Sequence, residues 1–379
     1  MSPLLTGLSP FTEEQIHALH SSLSTPALIA YLPRVERNLQ HMQQLAEKSH
    51  TRLRPHTKTH KSFFFAGRQL AHGAAGITVA KLSEARGMFQ QGISDLFIAN
   101  QITQSLKLPD LRQLHEHSGI LIGMDNRQHI ELLRPVFKSS SKPLKVRIEV
   151  DSGLHRCGVT VGPALIDLAE HIKKESWLEL EGIFTHAGQS YQARAPEEIR
   201  QIGEREGELM AEAKRLLADQ GIDIQTVSVG STPTVPYSSR NPLVNEIRPG
   251  NYIFYDGMQL TLGTAKAEQC ALFVLSTVVS QPNDDRLVVD AGSKALSTEG
   301  FALSGNYGPV AFPDGRLVRL SEEHGVVQRK QKQKIAIGSP LLIVPNHACV
   351  AVNLFDFYHL VDSEMKVRKV AVDLRGNSR

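Results

Sequence analysis

From about residue 52 to residue 256, short apolar β-rich runs alternate with segments whose apolar residues recur at helical spacing. The strand candidates are Arg52–His56, Ile77–Ala80, Leu96–Ala99, Ile120–Met124, Val146–Val150, Leu180–Thr185, Thr226–Val229 and Ile247–Phe254. Helix candidates Ser62–His72, Leu82–Gln90, Ser105–His117, Arg127–Phe137, Pro163–Lys174 and Glu197–Gln220 lie between most of them. The last has the clearest boundaries. Pro196 and acidic residues stand at its start, where a missing N–H costs nothing and the helix dipole favours negative charge, and Gly221 stands just past its end. Repeated strand–helix alternation implies parallel strands joined by helical crossovers. Eight strand candidates in this length of chain fit an α/β fold of the (β/α)8 TIM-type barrel, expected over residues 26–262. An open doubly wound sheet would alternate too, but no Gly-x-Gly-x-x-Gly follows an early strand.

The pattern changes after Leu262. Cys270–Ser280, Arg286–Val289, Leu317–Arg319 and Pro340–Val344 are β-rich, no long amphipathic helix separates them, and turn clusters such as Pro282-Asn283-Asp284-Asp285 and Pro313-Asp314-Gly315 punctuate the stretch. A second, mainly antiparallel β domain is expected over residues 263–379, with residues 1–25 associated with it. The Lys330–Lys334 cluster has no interleaved aromatics and reads as a solvated loop.

Composition narrows the functional classes. The chain has 379 residues, 41% hydrophobic and 21% charged, which is ordinary globular composition. Its 42 Lys+Arg against 39 Asp+Glu leave a net charge of +3, too small and scattered to suggest a nucleic-acid partner. Three cysteines are no disulfide framework in a chain of this length. The most apolar stretch, Ile335 to Phe357, is interrupted by Pro340, Pro345, Asn346, His347 and Asn353, so no membrane span is expected. The first basic residue is Arg34, which leaves no charged segment ahead of an apolar core as a secretory signal requires. A cytoplasmic protein with neither membrane nor nucleic-acid partner is the expectation.

In a (β/α)8 barrel the functional groups gather at the C-terminal ends of the strands. The candidate strands lead there into Arg54-Pro55-His56-Thr57-Lys58-Thr59-His60-Lys61, Asn100-Gln101, Asp151 with His155-Arg156, His186 with Gln189-Ser190-Tyr191, Gly230-Ser231-Thr232-Pro233-Thr234, and Pro249-Gly250-Asn251-Tyr252 with Asp256. Polar groups therefore concentrate at the expected mouth.

These segments resemble the D-serine dehydratase / D-threonine aldolase family, pyridoxal-phosphate enzymes of the alanine-racemase fold type. The resemblance covers nearly the whole chain. It runs through Thr25-Pro26-Ala27, the Arg54–Lys61 segment, Asp151-Ser152-Gly153-Leu154-His155-Arg156-Cys157-Gly158, Thr185-His186-Ala187-Gly188-Gln189-Ser190-Tyr191 and Gly230-Ser231-Thr232-Pro233-Thr234. It continues through Glu246-Ile247-Arg248-Pro249-Gly250-Asn251-Tyr252, Asp290-Ala291-Gly292, Glu323-His324-Gly325 and Pro345-Asn346-His347-Ala348-Cys349.

The resemblance implies that Lys58 is the lysine that holds pyridoxal 5'-phosphate as a Schiff base. Chemistry supports the choice, because the reacting amine must be neutral and neighbouring cations such as Arg54, His56, His60 and Lys61 favour loss of its proton. Spacing alone fits a solvated basic loop better. Gly230, Ser231 and Thr232, completed by Gly250 and Asn251, resemble the phosphate cradle, where a glycine admits the backbone and N–H and hydroxyl groups donate to phosphate oxygens. Arg156 and Tyr191 resemble the residues facing the phenolic oxygen and the pyridine nitrogen, and His186 would orient Arg156 or the ring. A neutral partner at that nitrogen weakens the ring as an electron sink and calls for help elsewhere. His347 and Cys349 would supply it as two ligands of a divalent metal. On an extended segment residues two apart share a face, and a thiolate favours Zn2+ over Mn2+ or Mg2+. Cys157 and Cys270 have no partner at ligand spacing and read as structural.

As implied by the family, Cys349 stands where dehydratases of D-serine or D-3-hydroxyaspartate carry cysteine and D-threonine aldolases carry aspartate. The expected activity is dehydration of a D-β-hydroxy amino acid to a 2-oxo acid and ammonia, with Lys58 as general base. The alternative is retro-aldol cleavage to glycine and an aldehyde, with His60 or a metal-bound hydroxide as base. Glu323 and His324 are either substrate contacts or a structural turn. A non-catalytic pyridoxal-phosphate carrier and a metal-hydrolase barrel without organic cofactor are the other classes. The first lacks a reason for the second domain and the His-x-Cys pair, and the second predicts no cofactor absorbance. The family further implies a homodimer.

Overall fold

A computed structural model describes residues 7–313, 315–329 and 334–379. Of the Lys330–Lys334 cluster only Lys334 is among them. The chain divides into two compact units. One comprises residues 41–58, 63–250 and 376–379, and the other residues 1–40, 59–62 and 251–375. Strand β1 (Ala27–Tyr31) precedes eight parallel strands: β2 (Arg52–Leu53), β3 (Ile77–Val79), β4 (Leu96–Ile98), β5 (Leu121–Met124), β6 (Leu144–Glu149), β7 (Leu178–Phe184), β8 (Thr226–Val229) and β9 (Glu246–Ile247). The helices before residue 250 are, in chain order, α1 (Glu13–Ser22), α2 (Leu32–Lys48), α3 (Phe63–Ala71), α4 (Leu82–Gln90), α5 (Leu108–His117), α6 (Arg127–Phe137), α7 (Pro163–Lys173), α8 (Pro196–Asp219) and the short α9 (Val235–Ser238).

The eight parallel strands pair in the order β2-β9-β8-β7-β6-β5-β4-β3. A parallel bridge between His56 and Thr78 joins the two ends of this row. The Thr78 N–H donates to the Pro55 carbonyl (2.9 Å), and the His56 N–H to the Pro249 carbonyl (3.0 Å). The sheet therefore closes, as expected of the barrel and not of an open doubly wound sheet. All eight expected strands are present, but the last is shorter than Ile247–Phe254. After Ile247 the chain leaves the sheet and enters a 3-10 turn at Asn251–Ile253.

The barrel interior is filled by aromatic rings and a buried ion network. Phe97, Leu121 and Phe184 form one cluster, with Phe97 and Phe184 meeting edge to face at 5.0 Å between ring centroids. Arg147 stacks over Phe97 and Arg248 over Phe184. Glu246, fully buried at the start of β9, accepts from Arg54 Nε (2.9 Å), Ser228 Oγ (2.7 Å) and Arg147 Nη1. Arg147 also reaches Glu181, and Arg54 reaches Asp95 (2.7 Å). Glu246, Arg147 and Arg54 thus each face an opposite charge, the condition for burying ions at all, while Arg248 donates to the Ser228 hydroxyl (2.5 Å) and the Thr185 carbonyl (2.5 Å).

Helix α8 packs closely on α9, and two glycines on one face allow it. A Cβ on Gly203 would lie 2.9 Å from the Thr234 carbonyl, and one on Gly207 would lie 2.8 Å from the Ser238 carbonyl. Both contacts are to backbone, so the short helix would have to move. Gly207→Ala is expected to cost about 1–3 kcal/mol of stability by overpacking. It should also displace the 230–234 loop. A thermal melt and a titration with pyridoxal phosphate check both effects.

The other unit is built on β1, which pairs antiparallel with β10 (Leu272–Asn283). Further strands are β11 (Arg286–Val289), β12 (Val310–Phe312), β13 (Arg316–Leu320), β14 (Gly325–Gln328), β15 (Pro340–Ile343), β16 (Phe357–Val361) and β17 (Val367–Ala371). The order is β13-β14-β11-β10-β1-β16-β17, with β15 pairing β10 and β12. The β1–β16 pair is parallel and the others are antiparallel. The buried Arg34 guanidinium ties loops together here, donating to the carbonyls of Leu8 (2.7 Å) and Cys270 (2.8 Å). Among the described residues no helix is long and apolar enough to cross a membrane.

Candidate active site

Lys58 lies in the 3-10 turn Thr57–Thr59, directly after β2, and is half-buried. Two bonds set the turn. Thr57 Oγ1 donates to the Thr78 carbonyl (3.2 Å), and the Lys58 N–H donates to His56 Nδ1 (3.4 Å). His186, just past β7, hydrogen-bonds through Nδ1 to the Gly230 carbonyl at 2.6 Å. A carbonyl only accepts, so the proton resides on Nδ1 and Nε2 keeps its lone pair. Burial first, then the positive charges of Lys58, Arg156 and Arg248, push this imidazole down to about 3, so it is neutral at physiological pH. Its place beside Lys58 charge makes it a fixed neutral acceptor.

After β8, Gly230, Ser231 and Thr232 are buried. Gly230 spends both backbone groups inside the protein. Its N–H points at Glu206 Oε1 (3.3 Å) and its carbonyl accepts from His186. It contributes by lacking a side chain, since a Cβ there would meet the Arg248 backbone at 3.1 Å. The Ser231 hydroxyl joins those of Ser190 (3.2 Å) and Thr234 (2.9 Å) in a buried cluster. Glu206 stands behind it, its carboxyl pushed up by burial, accepting from Thr234 Oγ1 (2.9 Å). Arg156 is exposed on the loop after β6, and Tyr191 is half-buried in the 3-10 turn Gly188–Gln192. Gly250 ends the barrel segment, half-buried.

In the other unit, Asn251 is 4% exposed and its Nδ2 donates to Asp256 Oδ2 (2.5 Å). His347 is not on an extended run, as its spacing from Cys349 suggested. It is the residue before the short helix Ala348–Val352 (φ −127°, ψ 103°), and Cys349 is in that helix. The helical turn still leaves the two side chains near enough for the Cys349 sulfur to raise the His347 imidazole. Glu299 Oε1 stands 3.0 Å from His347 Nδ1. Burial acts to lower the imidazole, but Cys349, Glu299 and Asp256 outweigh it and hold it well above its ordinary value. Cys349 Sγ donates to Thr59 Oγ1 (3.2 Å), and Thr59 follows Lys58 in the chain.

His60 is fully buried. Its Nδ1 accepts from the Ser62 N–H (3.1 Å), and its carbonyl accepts from the Tyr358 hydroxyl (2.6 Å). The Leu374 N–H donates to the Lys61 carbonyl (2.9 Å), and Ser62 Oγ donates to Asp373 (3.1 Å). Lys61 has a left-handed φ of 47°, a strained conformation for a side-chain-bearing residue and a frequent mark of functional sites. The segment after Lys58 is thus fastened at four consecutive residues. Glu323 is exposed and pairs with Lys294 at 2.7 Å. The Ser321 N–H donates to the His324 carbonyl (2.8 Å) across a tight turn.

Thr59 and Asp256 stand at the expected mouth but receive no role from the sequence, and Glu299 is not singled out at all, because their partners are remote in the chain. Asp256 lies just past the resembling stretch that ends at Tyr252, and only the fold shows its carboxylate accepting from the Ala348 N–H (2.9 Å). Cys157, which has no ligand partner at sequence spacing, lies with Asp125 and Glu149 in a group whose potential ligand atoms are within 4.8 Å of one another.

The donor sets suit the groups that the resemblance implies. A buried hydroxyl cluster next to a neutral histidine fits a phosphorylated aldehyde whose lysine must be able to shed its proton. An imidazole beside a thiol, with a carboxylate oxygen 3.0 Å from the ring nitrogen, fits a zinc-type ion.

An eight-stranded parallel barrel with a lysine at the end of its first strand, joined to an antiparallel β unit, defines a broad class of proteins. The comparisons narrow it. Residues 31–257 match the family described as alanine racemase, N-terminal domain, and residues 271–361 match the putative serine dehydratase domain. The chain is 33% identical to the D-threo-3-hydroxyaspartate dehydratase of Delftia sp. (strain HT23) over 92% of its own length and 96% of that protein's. It is 30% identical to the D-serine dehydratase of Dictyostelium discoideum over 92% and 95%. The crystal structure of D-threonine aldolase from Filomicrobium marinum superposes with a TM-score of 0.87 at 31% identity, covering 95% of this chain and 98% of that one. The chain therefore belongs to the family of pyridoxal-phosphate-dependent lyases of the alanine-racemase fold that carry the serine dehydratase domain.

Proposed function

We propose that the protein is a pyridoxal-phosphate- and metal-dependent dehydratase of D-β-hydroxy amino acids, of the D-serine or D-3-hydroxyaspartate type. Water leaves the substrate, and hydrolysis of the product enamine releases a 2-oxo acid and ammonia. The observation that carries the reading is the Cys349 Sγ bond to Thr59 Oγ1 (3.2 Å), which fastens the His-x-Cys corner to the residue following the candidate cofactor lysine. Residues 26–262 would hold the cofactor, and residues 263–379, with residues 1–25, would supply the metal ligands. The cysteine at position 349 and the dehydratase relatives favour water elimination over carbon–carbon cleavage.

Lys58 holds the cofactor and takes the α-proton as general base. Ser231, Thr232, Gly250 and Asn251 seat the phosphate, and Gly230 gives it room. Arg156 and Tyr191 face the ring. His186 stays neutral beside Lys58 and adds no positive charge to the site. His347 and Cys349 hold the metal, with zinc favoured by the soft thiolate over manganese or magnesium. When bound, the cofactor supplies an electron sink at the α-carbon and the metal a Lewis acid for the departing hydroxyl. A cytoplasmic homodimer completes the proposal.

The test is product analysis of the purified protein with pyridoxal phosphate and Zn2+, offered D-serine, D-threonine and D-3-hydroxyaspartate separately. A 2-oxo acid with ammonia in equal amounts is expected. Glycine with an aldehyde would instead assign the aldolase reaction. EDTA should abolish turnover and added Zn2+ should restore it. Full activity after complete chelation would remove His347 and Cys349 from the chemistry.

A further inference from the structure

We infer that Asp256 couples metal binding to cofactor binding, so that each ligand strengthens the other. The inference rests on the function proposed above and adds a residue and a thermodynamic linkage to it. Asp256 is fully buried. A single oxygen, Oδ2, receives both the Asn251 amide N–H (2.5 Å) and the Ala348 backbone N–H (2.9 Å). Asn251 belongs to the proposed phosphate cradle, and Ala348 lies between the two proposed metal ligands. Oδ1 receives the Gln259 N–H (3.0 Å), which fixes the carboxylate plane.

The surrounding chain leaves little slack. The Gly257 N–H donates to the Pro345 carbonyl (3.0 Å) and the Met258 N–H to the Asn346 carbonyl (2.9 Å). A Cβ on Gly257 would lie 2.6 Å from Asn346 Oδ1. The 256–258 segment and the 345–348 corner are therefore zipped edge to edge, with Asp256 as the side-chain clasp.

Asn251 carries the second half of the linkage. A carboxylate only accepts, so Asp256 dictates that the Asn251 amide turns its nitrogen inward. Its Oδ1 is then buried without a hydrogen-bond partner among the described residues. A buried, unsatisfied acceptor is costly, and a donor brought in with the cofactor, including a water held on its phosphate, relieves it. That contact orders Asn251. Asn251 orders the Asp256 carboxylate, and Asp256 orders the Ala348 N–H on which the His347–Cys349 corner turns. With so little slack, the position that the first ligand imposes on this shared element is the one the second ligand meets, so one cost of adjustment serves both. Linkage requires the same factor in both directions.

The experiment measures four dissociation constants on the full chain. Zn2+ affinity is read by chelator competition on cofactor-free protein and on protein loaded with pyridoxal phosphate. Pyridoxal phosphate affinity is read by absorbance with and without Zn2+. The wild type should show equal ratios in the two directions, in the range of about five- to 150-fold. Asp256→Asn keeps one accepting oxygen but opposes an amide N–H to its former partners, and the ratio should fall to near one. Asn251→Ala cuts the link from the cofactor side, keeps the carboxylate, and should have the same effect. A merely structural role would weaken both ligands in proportion and leave the ratio unchanged. Independent binding of the two ligands to the wild type, or an undiminished ratio in both variants, overturns the coupling alone. Failure of the wild type to bind either ligand overturns the proposed function and the coupling with it.

Discussion

Lys58→Ala is expected to eliminate borohydride-fixable cofactor and to slow turnover by at least about 10²–10⁴-fold, the range for loss of a positioned general base alone. The loss should fall on kcat, because no other amine stands at this position in the turn. Lys58 is half-buried and, among the described residues, the ion pairs of the barrel interior do not include it. The variant should therefore fold, with stability changed by no more than about 0.5 kcal/mol, as for a surface substitution. Circular dichroism with product assays separates the two effects. An inactive protein with an unchanged melt is the expected result, and a variant as active as the wild type would remove Lys58 from the mechanism.

The second large effect is structural. Glu246→Ala should destabilise the fold by about 3–5 kcal/mol, the usual cost of stranding a buried counter-charge. Arg147 is 1% exposed and Arg54 is 5% exposed, and Glu246 bonds both. Without it the two buried guanidinium groups keep, among the described residues, only Glu181 and Asp95 as ion-pair partners. Burial would raise the Glu246 carboxyl, but Arg147 and Arg54 overcome it and hold the group far below the ordinary carboxylate range. The sign follows from that depression. The contribution is fully present above the pKa of an unfolded glutamate and is lost as pH falls toward the folded value. Thermal melts should show the gap between wild type and variant constant near neutrality and narrowing in strong acid.

Much of the barrel was legible because buried parallel strands are written as short apolar runs, and crossover helices as 3.6-residue periodicity. Leu82–Gln90 and Arg127–Phe137 form at the expected bounds. The strands β1, β12, β14, β16 and β17 are absent from the sequence reading. They are short, and β17 is mostly exposed, so its apolar alternation is weak. Asn251–Ile253 continues an apolar run but turns, and the Phe254 and Tyr255 N–H groups bond back to the Asn251 carbonyl (3.0 and 2.9 Å). At the site, residue types could be read but relations could not. His347 and Cys349 meet through a helix start rather than an extended strand. Glu206 stands 24 residues from the Gly230 it supports, and Thr59 lies 290 residues from Cys349.

The central claim is that one lysine, at position 58, carries the cofactor. Reduction of the holoprotein with borohydride, followed by digestion and peptide mass spectrometry, addresses it directly. A pyridoxyl-phosphate label on the peptide containing Lys58, at one equivalent per chain, is the predicted result. A label on any other lysine, or none after incubation with pyridoxal phosphate, would contradict it.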